Sequence, residues 1–323
     1  MKVIFFGSSE ISVPFLEELY KSKHEVTLVV TKTDKQSGRG RKVIPNIVKS
    51  RARELGISFI QVGEFDNSFY DDFGKLEFDA AVMVSFGRII PARLINSKVA
   101  RWLNVHPSLL PKYRGPTPII SAVLNGDSLG GVSVIEVTAE VDRGGIYAQV
   151  KFGIGESDNR EIYERKVIKF GSPVLLTVLD LLESGDINSY PQEEENATYT
   201  RKTKNEDFRI DWRQDAVRIN NKIRAFSSSP GAYCFWKSLR IKILKAEVPD
   251  EFESKEYLSG LKINEKSINN GYIVRADKNS GILVKCGGSQ IIKIKLLKPQ
   301  GKRVMTDRDF INGYLITAGE SFE

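Results

Sequence analysis

Asn104-Val105-His106-Pro107-Ser108-Leu109-Leu110-Pro111, running on into Lys112-Tyr113-Arg114-Gly115, closes an apolar run that begins near Arg101. Residues 101–105 read as a strand, and the proline after His106 turns the chain into a loop. Side chains two apart on a strand project to the same face. Asn104 and His106 are therefore expected to point together into one pocket at the strand's end. An amide beside an imidazole is what a tetrahedral acyl-transfer intermediate needs, a donor for the developing oxyanion and a group that moves protons. The chain has only two histidines, His24 and His106, which makes His106 the leading candidate for the proton-transfer group.

Outward from that strand, the first ~150 residues alternate short apolar runs with helical patterns, the mark of a parallel sheet in an α/β layer. Strands are expected at residues 3–6, 26–31, 58–61, 80–85, 132–137 and 145–152. Helices are expected from Ser12 to about Ser22, with Ser12 as cap and Pro14 in the first turn, and over 45–55, 116–124 and 160–183. Residues 34–42 read as a polar loop. Asp142, in the turn Val141-Asp142-Arg143-Gly144-Gly145, follows a strand. Many such aspartates only stabilise their turn. In a parallel sheet, however, ligands collect outside the carboxyl ends of the strands, and Asn104, His106 and Asp142 all fall there.

Residues 190–207 look like a linker, with Glu193-Glu194-Glu195 and no apolar periodicity. Beyond it come a helix through Ile223 and five short strand-like runs at 232–236, 240–244, 272–275, 282–286 and 290–297. Five short strands with polar turns suggest a small barrel of the oligonucleotide-binding type. The fold class is thus α/β: a Rossmann-like domain over 1–189, a linker over 190–207 and a barrel domain over 208–323. Charge follows the same division. Residues 1–200 carry 24 Lys and Arg against 26 Asp and Glu (−2), and residues 201–323 carry 24 against 15 (+9). A near-neutral first part joined to a basic second part suggests a catalytic domain with a polyanion-binding partner domain.

No apolar run approaches the ~20 residues of a membrane span. Two cysteines, Cys234 and Cys286, are too few for a disulfide framework or a zinc site. The expectation is a cytoplasmic protein without structural metal. There is no G-x-S-x-G, and Gly7-Ser8-Ser9 does not complete a dinucleotide fingerprint. Gly38-Arg39-Gly40-Arg41-Lys42 is not a P-loop, but glycine permits close approach and arginine offers a bidentate fork, so it suits a phosphate-contacting finger.

Asn104-x-His106-x-Ser108-Leu109-Leu110-Pro111-x-Tyr113-Arg114-Gly115, with Asp142-x-Gly144, resembles the formyltetrahydrofolate-dependent formyltransferases. Met1–Gly7, the 37–42 loop followed by Pro45, Ile223-Arg224-Ala225-Phe226, and Pro299-Gln300-Gly301-Lys302-Arg303-Val304-Met305 with Asp309-Phe310 are similar to the branch of that family that acts on methionyl-tRNA. The resemblance implies transfer of a formyl group from 10-formyltetrahydrofolate, the co-substrate, to the amino group of methionine on initiator Met-tRNA. It implies a Rossmann-like catalytic domain with a C-terminal barrel, no metal, no membrane and a monomer. By the same resemblance Asn104, His106 and Asp142 are the catalytic trio, and Ser108, Leu109, Leu110 and Pro111 are the folate-contacting loop. Phe86, Gly87 and Ile89 follow the central strand and would either line the pterin side or serve packing alone. Arg39, Arg41 and Lys42 would approach the acceptor stem, with Lys302 and Arg303 as further tRNA contacts. A formyltransferase acting on a nucleotide-linked sugar amine is the alternative. Two departures stand out: Ser227-Ser228-Ser229 replaces the usual Asn-Pro-Trp before Pro-Gly, and Ile120 replaces a frequent Gln.

Overall fold

Val3, Ile4, Phe5 and Phe6 are completely buried, as a strand covered on both faces requires. They lie in β1 (Lys2–Gly7). Then follow α1 (Ser12–Lys21), β2 (Glu25–Lys32), a hairpin of β3 (Lys35–Ser37) and β4 (Lys42–Ile44), α2 (Ile47–Glu54), β5 (Phe59–Val62), α3 (Asn67–Gly74), β6 (Ala80–Val84), α4 (Ala92–Ile95), β7 (Arg101–His106), α5 (Pro118–Asn125), β8 (Leu129–Glu136), β9 (Ile146–Gly153) and α6 (Arg160–Ser184). The computed structural model describes residues 1–37, 42–96, 100–259 and 268–323. They divide into two units, the first made of Met1–Pro118, Leu129–Gly153 and Tyr163–Arg201, the second of Ile119–Ser128, Ile154–Ile162 and Lys202–Glu323.

The sheet of the first unit runs β5-β2-β1-β6-β7-β8-β9. From β5 to β7 all pairs are parallel. The order reverses direction at β1, which opens a crevice at the carboxyl ends of β1, β6 and β7. The expected all-parallel sheet is corrected at its far edge: β8 runs antiparallel to β7, and β9 to β8. A turn, not a crossover helix, joins β8 to β9, so these strands can only pair antiparallel. Phe6, Phe73, Phe86 and Trp102 form an aromatic cluster on one face, with Phe6 5.4 Å from both Phe86 and Trp102.

Residues 34–42 are not simply a polar loop. Lys35, Gln36 and Ser37 pair antiparallel with Ile44, Val43 and Lys42, and three-residue strands are too short for alternation to reveal. Asp34 anchors the hairpin's entry. It takes an ion pair from Lys49 at 2.6 Å and hydrogen bonds from the Asn46 N–H and the Gln61 amide. Lys49 foremost, then the Asn46 N–H, hold its carboxyl down at about 2. Arg39 and Arg41 lie outside the described residues. Residues 190–201 are folded onto the first unit by backbone pairs rather than apolar contacts: Tyr190 with Ile146, and Arg114 with residues 198 and 200.

The second unit contains α7 (Ala216–Ala225), β10 (Ala232–Trp236), β11 (Leu239–Glu247), α8 (Glu251–Ser259), β12 (Ile273–Asp277), β13 (Gly281–Cys286), β14 (Gln290–Pro299), β15 (Met305–Thr306) and α9 (Asp307–Tyr314). Its strands are antiparallel in the order β10-β11-β14-β13-β12, with β15 on β14. The outer strands do not pair with each other directly. Residues 319–323 lie between them, with Glu323 exchanging two hydrogen bonds with Phe235 of β10 while Glu320 and Gly319 bond Ile273 of β12. The core inside includes Ile219, Ile223, Cys234, Ile241, Val284, Ile292 and Phe310. Both cysteines are free and buried, and burial pushes the Cys286 thiol up to about 12. Among the described residues no helix is long and apolar enough to cross a membrane. The sequence reading missed α3, α4, α8 and α9, which are short or carry little apolar periodicity.

Both departures from the family pattern are accommodated here. Ile120 packs on the second core. Ser227 and Ser228 donate to the two carboxylate oxygens of Glu161 at 2.6 and 2.5 Å, and Arg160 donates to the Ser229 carbonyl. Burial alone would raise the Glu161 carboxyl; the two hydroxyls, with a backbone N–H and the Arg160 charge, together leave it below the ordinary value. A depressed carboxyl contributes stability that is fully present above its unfolded value near 4.5 and is lost as pH falls through the folded one. The Ser227→Ala/Ser228→Ala variant is expected to lose about 1–2 kcal/mol at neutral pH. Thermal unfolding between pH 3 and 8 checks it: the variant's deficit should shrink at the acid end, and a pH-independent deficit would count against the carboxylate pairing.

Candidate active site

Leu103, Asn104, Val105 and His106 of β7 pair with Glu136, Ile135, Val134 and Ser133 of β8. This places Asn104 and His106 on one face at the strand's carboxyl end, as the spacing requires. The turn between β8 and β9 brings Asp142 to both. The Asn104 side-chain amide donates to Asp142 Oδ1 at 3.2 Å. His106 Nδ1 lies 3.6 Å from Asp142 Oδ2. That oxygen also accepts the backbone N–H of Gly115 at 2.8 Å. The other ring nitrogen, Nε2, lies 3.0 Å from the Tyr113 carbonyl oxygen. A carbonyl can only accept, so Nε2 carries hydrogen and Nδ1 is the nitrogen left facing the carboxylate. His106 is buried, Asp142 nearly so and Asn104 half-buried.

The backbone here is unusual. Tyr113 (φ 65°), Gly115 (φ 110°) and Asp142 (φ 56°) all sit in the left-handed region, which costs a non-glycine residue of order 1 kcal/mol or more. At Gly115 an added Cβ would also come within 2.8 Å of the Thr200 carbonyl oxygen. At Gly144 it would overlap the Glu136 carbonyl. The turn is thus pressed against the end of β8.

The loop 108–111 is fastened from below. Ser133 of β8 donates to the Ser108 carbonyl at 2.7 Å and accepts from the Leu110 N–H at 3.1 Å. Gln149 of β9 donates to the Leu110 carbonyl at 2.9 Å. Ser108 is buried and donates to the Lys112 carbonyl. Leu110 is buried against Ile135 and Ile146. Leu109 and Pro111 are half-buried. Gly87 (φ 69°) and Ile89 are exposed near the end of β6. Phe86 is not: it is 1% exposed in the aromatic core, so it supports this loop from behind. Lys42 contributes its backbone to β4, while Lys302 and Arg303 are exposed in the turn between β14 and β15. The structure therefore brings Asn104, His106, Asp142 and the 108–111 loop together.

Sequence reasoning missed a polar network around a buried arginine behind the turn. Arg114 is 1% exposed. Its guanidinium donates to Gln192 Oε1 through Nε and Nη2 (3.0 and 2.8 Å), to both Glu194 oxygens (2.9 and 2.8 Å) and to the Tyr199 hydroxyl (3.1 Å). The Glu194 hydrogen bonds are the main cause raising the guanidinium's pKa, against its burial. Arg143 also donates to Tyr199, and the two arginines, Arg143 first, pull that phenol below its ordinary value. An open cavity of about 690 Å³ lies beside the turn, lined by Thr138, Ala139, Glu140, Arg143 and Glu194. Arg114 stood in the motif, but nothing in its neighbours marked its partners ~80 residues on.

One group of described residues has metal-like spacing, His24 with Asp180 and Glu183. Its carboxylates already pair with Lys23 and the Met1 ammonium. Burial, then that ammonium, pushes the His24 imidazole below its ordinary value. The group is an ion-pair cluster of a buried histidine and two exposed carboxylates.

The formyl transferase family model matches residues 1–179, and that of the formyl transferase C-terminal domain matches residues 202–315. A methionyl-tRNA formyltransferase of Sulfurihydrogenibium sp. (strain YO3AOP1) is 36% identical over 327 residues, 100% of each chain. That of Dictyoglomus turgidum is 37% identical over 325 residues, covering 100% of this chain and 99% of its own. Among solved structures, the N-formyltransferase from Helicobacter canadensis, in complex with folinic acid and dTDP-3-aminofucose, aligns with a TM-score of 0.66 at 19% identity, over 91% of this chain and 98% of that one. At that identity the likeness is one of fold.

Because residue 144 has no room for a side chain, Gly144→Ala must push the turn away from β8. It is expected to cost about 3 kcal/mol and to separate Asp142 from Asn104. Thermal unfolding checks the first, and loss of turnover in the fraction that remains folded checks the second.

Proposed function

We infer the reaction from kinship: the chain belongs to the formyl transferase family, with family domains over most of its length and methionyl-tRNA formyltransferases as full-length relatives. It is a formyltransferase that moves a formyl group from 10-formyltetrahydrofolate to the amino group of methionine on initiator Met-tRNA, at the start of translation. The observation that carries the mechanism is the convergence of Asn104, His106 and Asp142 on one strand end.

The folate is a co-substrate, and no metal is required. Acylation of the methionine carboxyl lowers the basicity of its amine, which attacks the formyl carbon as the free base. A nitrogen–carbon bond forms, and the carbonyl oxygen becomes an oxyanion. Asn104 spends one N–H on Asp142 and keeps the second for that oxygen. Asp142 fixes the amide's orientation beforehand, so little reorganisation is needed when charge appears. The attacking nitrogen must lose a proton, and His106 Nδ1, facing Asp142 Oδ2, is placed to take it. An imidazolium formed there would donate to the carboxylate through Nδ1 and to the Tyr113 carbonyl through Nε2. The proton is returned to N10 of the folate as the carbon–nitrogen bond to it breaks. Ser108–Pro111, with Gly87 and Ile89 at the neighbouring strand end, form the folate-contacting side. Half-buried Leu109 and exposed Ile89 offer the apolar contacts a pterin needs, and the loop's fixed backbone offers polar ones.

Arg39, Arg41 and Lys42 form the basic finger for the acceptor stem, and Lys302 and Arg303 add phosphate contacts from the second unit. The working division is a catalytic domain over 1–189, a connection over 190–207 and a tRNA-binding barrel of the oligonucleotide-binding type over 208–323. The protein acts in the cytoplasm as a monomer.

Wild-type protein should formylate charged initiator tRNA rapidly and elongator Met-tRNA poorly; transfer to a nucleotide-linked sugar amine in place of tRNA would sink this reading. Asn104→Ala should lower kcat by ~10²–10³-fold, the usual loss of one oxyanion donor. Removing residues beyond 207 is a poor test of tRNA binding, because residues 119–128 and 154–162 belong to the second unit. Lys302→Glu/Arg303→Glu is better. It should weaken tRNA binding, reduce the slope of log affinity against log salt by up to ~2 and leave folate binding unchanged; equal loss of both would count against the assignment.

A further inference from the structure

Gln192 lies in an acidic, aperiodic stretch and touches none of the reacting groups. Its side-chain amide nitrogen donates to two backbone carbonyls of the turn, Asp142 O and Gly144 O, both at 2.8 Å. Its amide oxygen accepts from Arg114 at 3.0 and 2.8 Å. Only one orientation of the amide satisfies this environment, since two carbonyls face one end and two guanidinium N–H groups the other. Arg114 in turn has all five N–H donors engaged, two by Gln192, two by Glu194 and one by Tyr199. Arg114 is buried with its donors saturated, and half-buried Gln192 is held at both ends of its amide, which makes the pair rigid.

The position of the pair matters more than its burial. Arg114 stands between the two residues whose backbones hold the site: the Tyr113 carbonyl on His106, and the Gly115 N–H on Asp142. Gln192 grips the other loop on either side of Arg143. Asp142 is left-handed there (φ 56°), a conformation that must be imposed from outside. One hydrogen-bonded pair therefore fixes the two loops against each other. If either relaxes, the Asp142 carboxylate leaves its 3.2 Å contact with Asn104 and its 3.6 Å approach to His106.

We propose that Gln192, clamped by Arg114, is a positioning residue for the reaction, setting the left-handed Asp142 turn against Asn104 and His106. The kinetic part of its test rests on the formyl-transfer reading above. The spectroscopic part does not.

Gln192→Glu separates positioning from mere support. A carboxylate keeps, and strengthens, the acceptor for Arg114. It loses the donor to the turn and sets negative oxygen against two carbonyls. The expected result is a protein that melts near wild type, with KM values for both substrates little changed and kcat down ~10–100-fold, the size of loss a misplaced catalytic group produces. Gln192→Ala removes both ends and should lose both stability and kcat; it serves if the first variant does not fold. Independently of any substrate, ring-¹⁵N histidine spectra contain only two imidazoles, His24 and His106, and His24→Gln assigns them. The His106 Nδ1 signal should move in Gln192→Glu while the His24 signal stays. A folded variant with wild-type kcat and an unmoved His106 signal overturns the proposal. A moved signal in a protein whose wild type formylates no Met-tRNA would sink the substrate reading and leave the positioning role standing.

Discussion

The Asp142 carboxylate is the point on which the site hangs. One oxygen takes the Asn104 amide; the other takes the Gly115 N–H and faces His106 Nδ1. A strand end and the loop that follows it thus meet on one functional group of a turn ~27–38 residues further on. That meeting requires a turn so close to β8 that residue 144 must be glycine, and a left-handed backbone at Asp142 itself. Neither feature is favourable locally. Both persist because the carboxylate's partners and the network behind the turn outweigh them. Backbone strain at a functional residue is normally found under such over-determination.

The sheet's change of direction serves the same end. The parallel strands β1, β6 and β7 supply the crevice into which Asn104 and His106 point. The antiparallel β8 and β9 supply Ser133 and Gln149, which fasten the 108–111 loop from beneath. A further parallel strand would need a crossover of a dozen or more residues, and the short turn carrying Asp142 could not then lie beside β7. The antiparallel edge is therefore part of the site as well as of the scaffold.

What was legible follows from what periodicity detects. The pairing of Asn104 with His106 came from the two-residue repeat of a strand, and the buried β1 and β6 came from unbroken apolar runs. Phe86 could be read as pocket lining or as packing, because a residue after a strand's end reads as loop; this one folds back onto Phe6. The stretch from 190 to 201 misled for a different reason. It is held by hydrogen bonds to the buried Arg114 guanidinium, made by half-buried Gln192 and exposed Glu194 and Tyr199. Gln192, Glu194 and Tyr199 are polar residues in an acidic run, and a search for hydrophobic repeats assigns such a run to solvent. A buried guanidinium saturated by side-chain hydrogen bonds leaves no periodic trace, because its partners are set by reach and geometry, and these sat nearly 80 residues apart.

The same limit applies to the second unit. Charge counts set a basic part against a near-neutral one and suggested an appendage beginning after a linker. The structure gives that unit two segments from earlier in the chain, Ile119–Ser128 and Ile154–Ile162. Ile120 enters its core, and Glu161 receives Ser227 and Ser228. In this light the two departures from the family pattern are chemically coherent. An isoleucine suits a position packed on apolar core, where an amide would lie buried beside few partners. Serines suit a turn that faces a carboxylate, since the Ser227 and Ser228 hydroxyls donate to half-buried Glu161 and favour its ionised form, and the proline that Ser228 replaces would supply no donor. The substitution at one end of this contact is thus readable only with the glutamate at the other, ~66 residues earlier, in view.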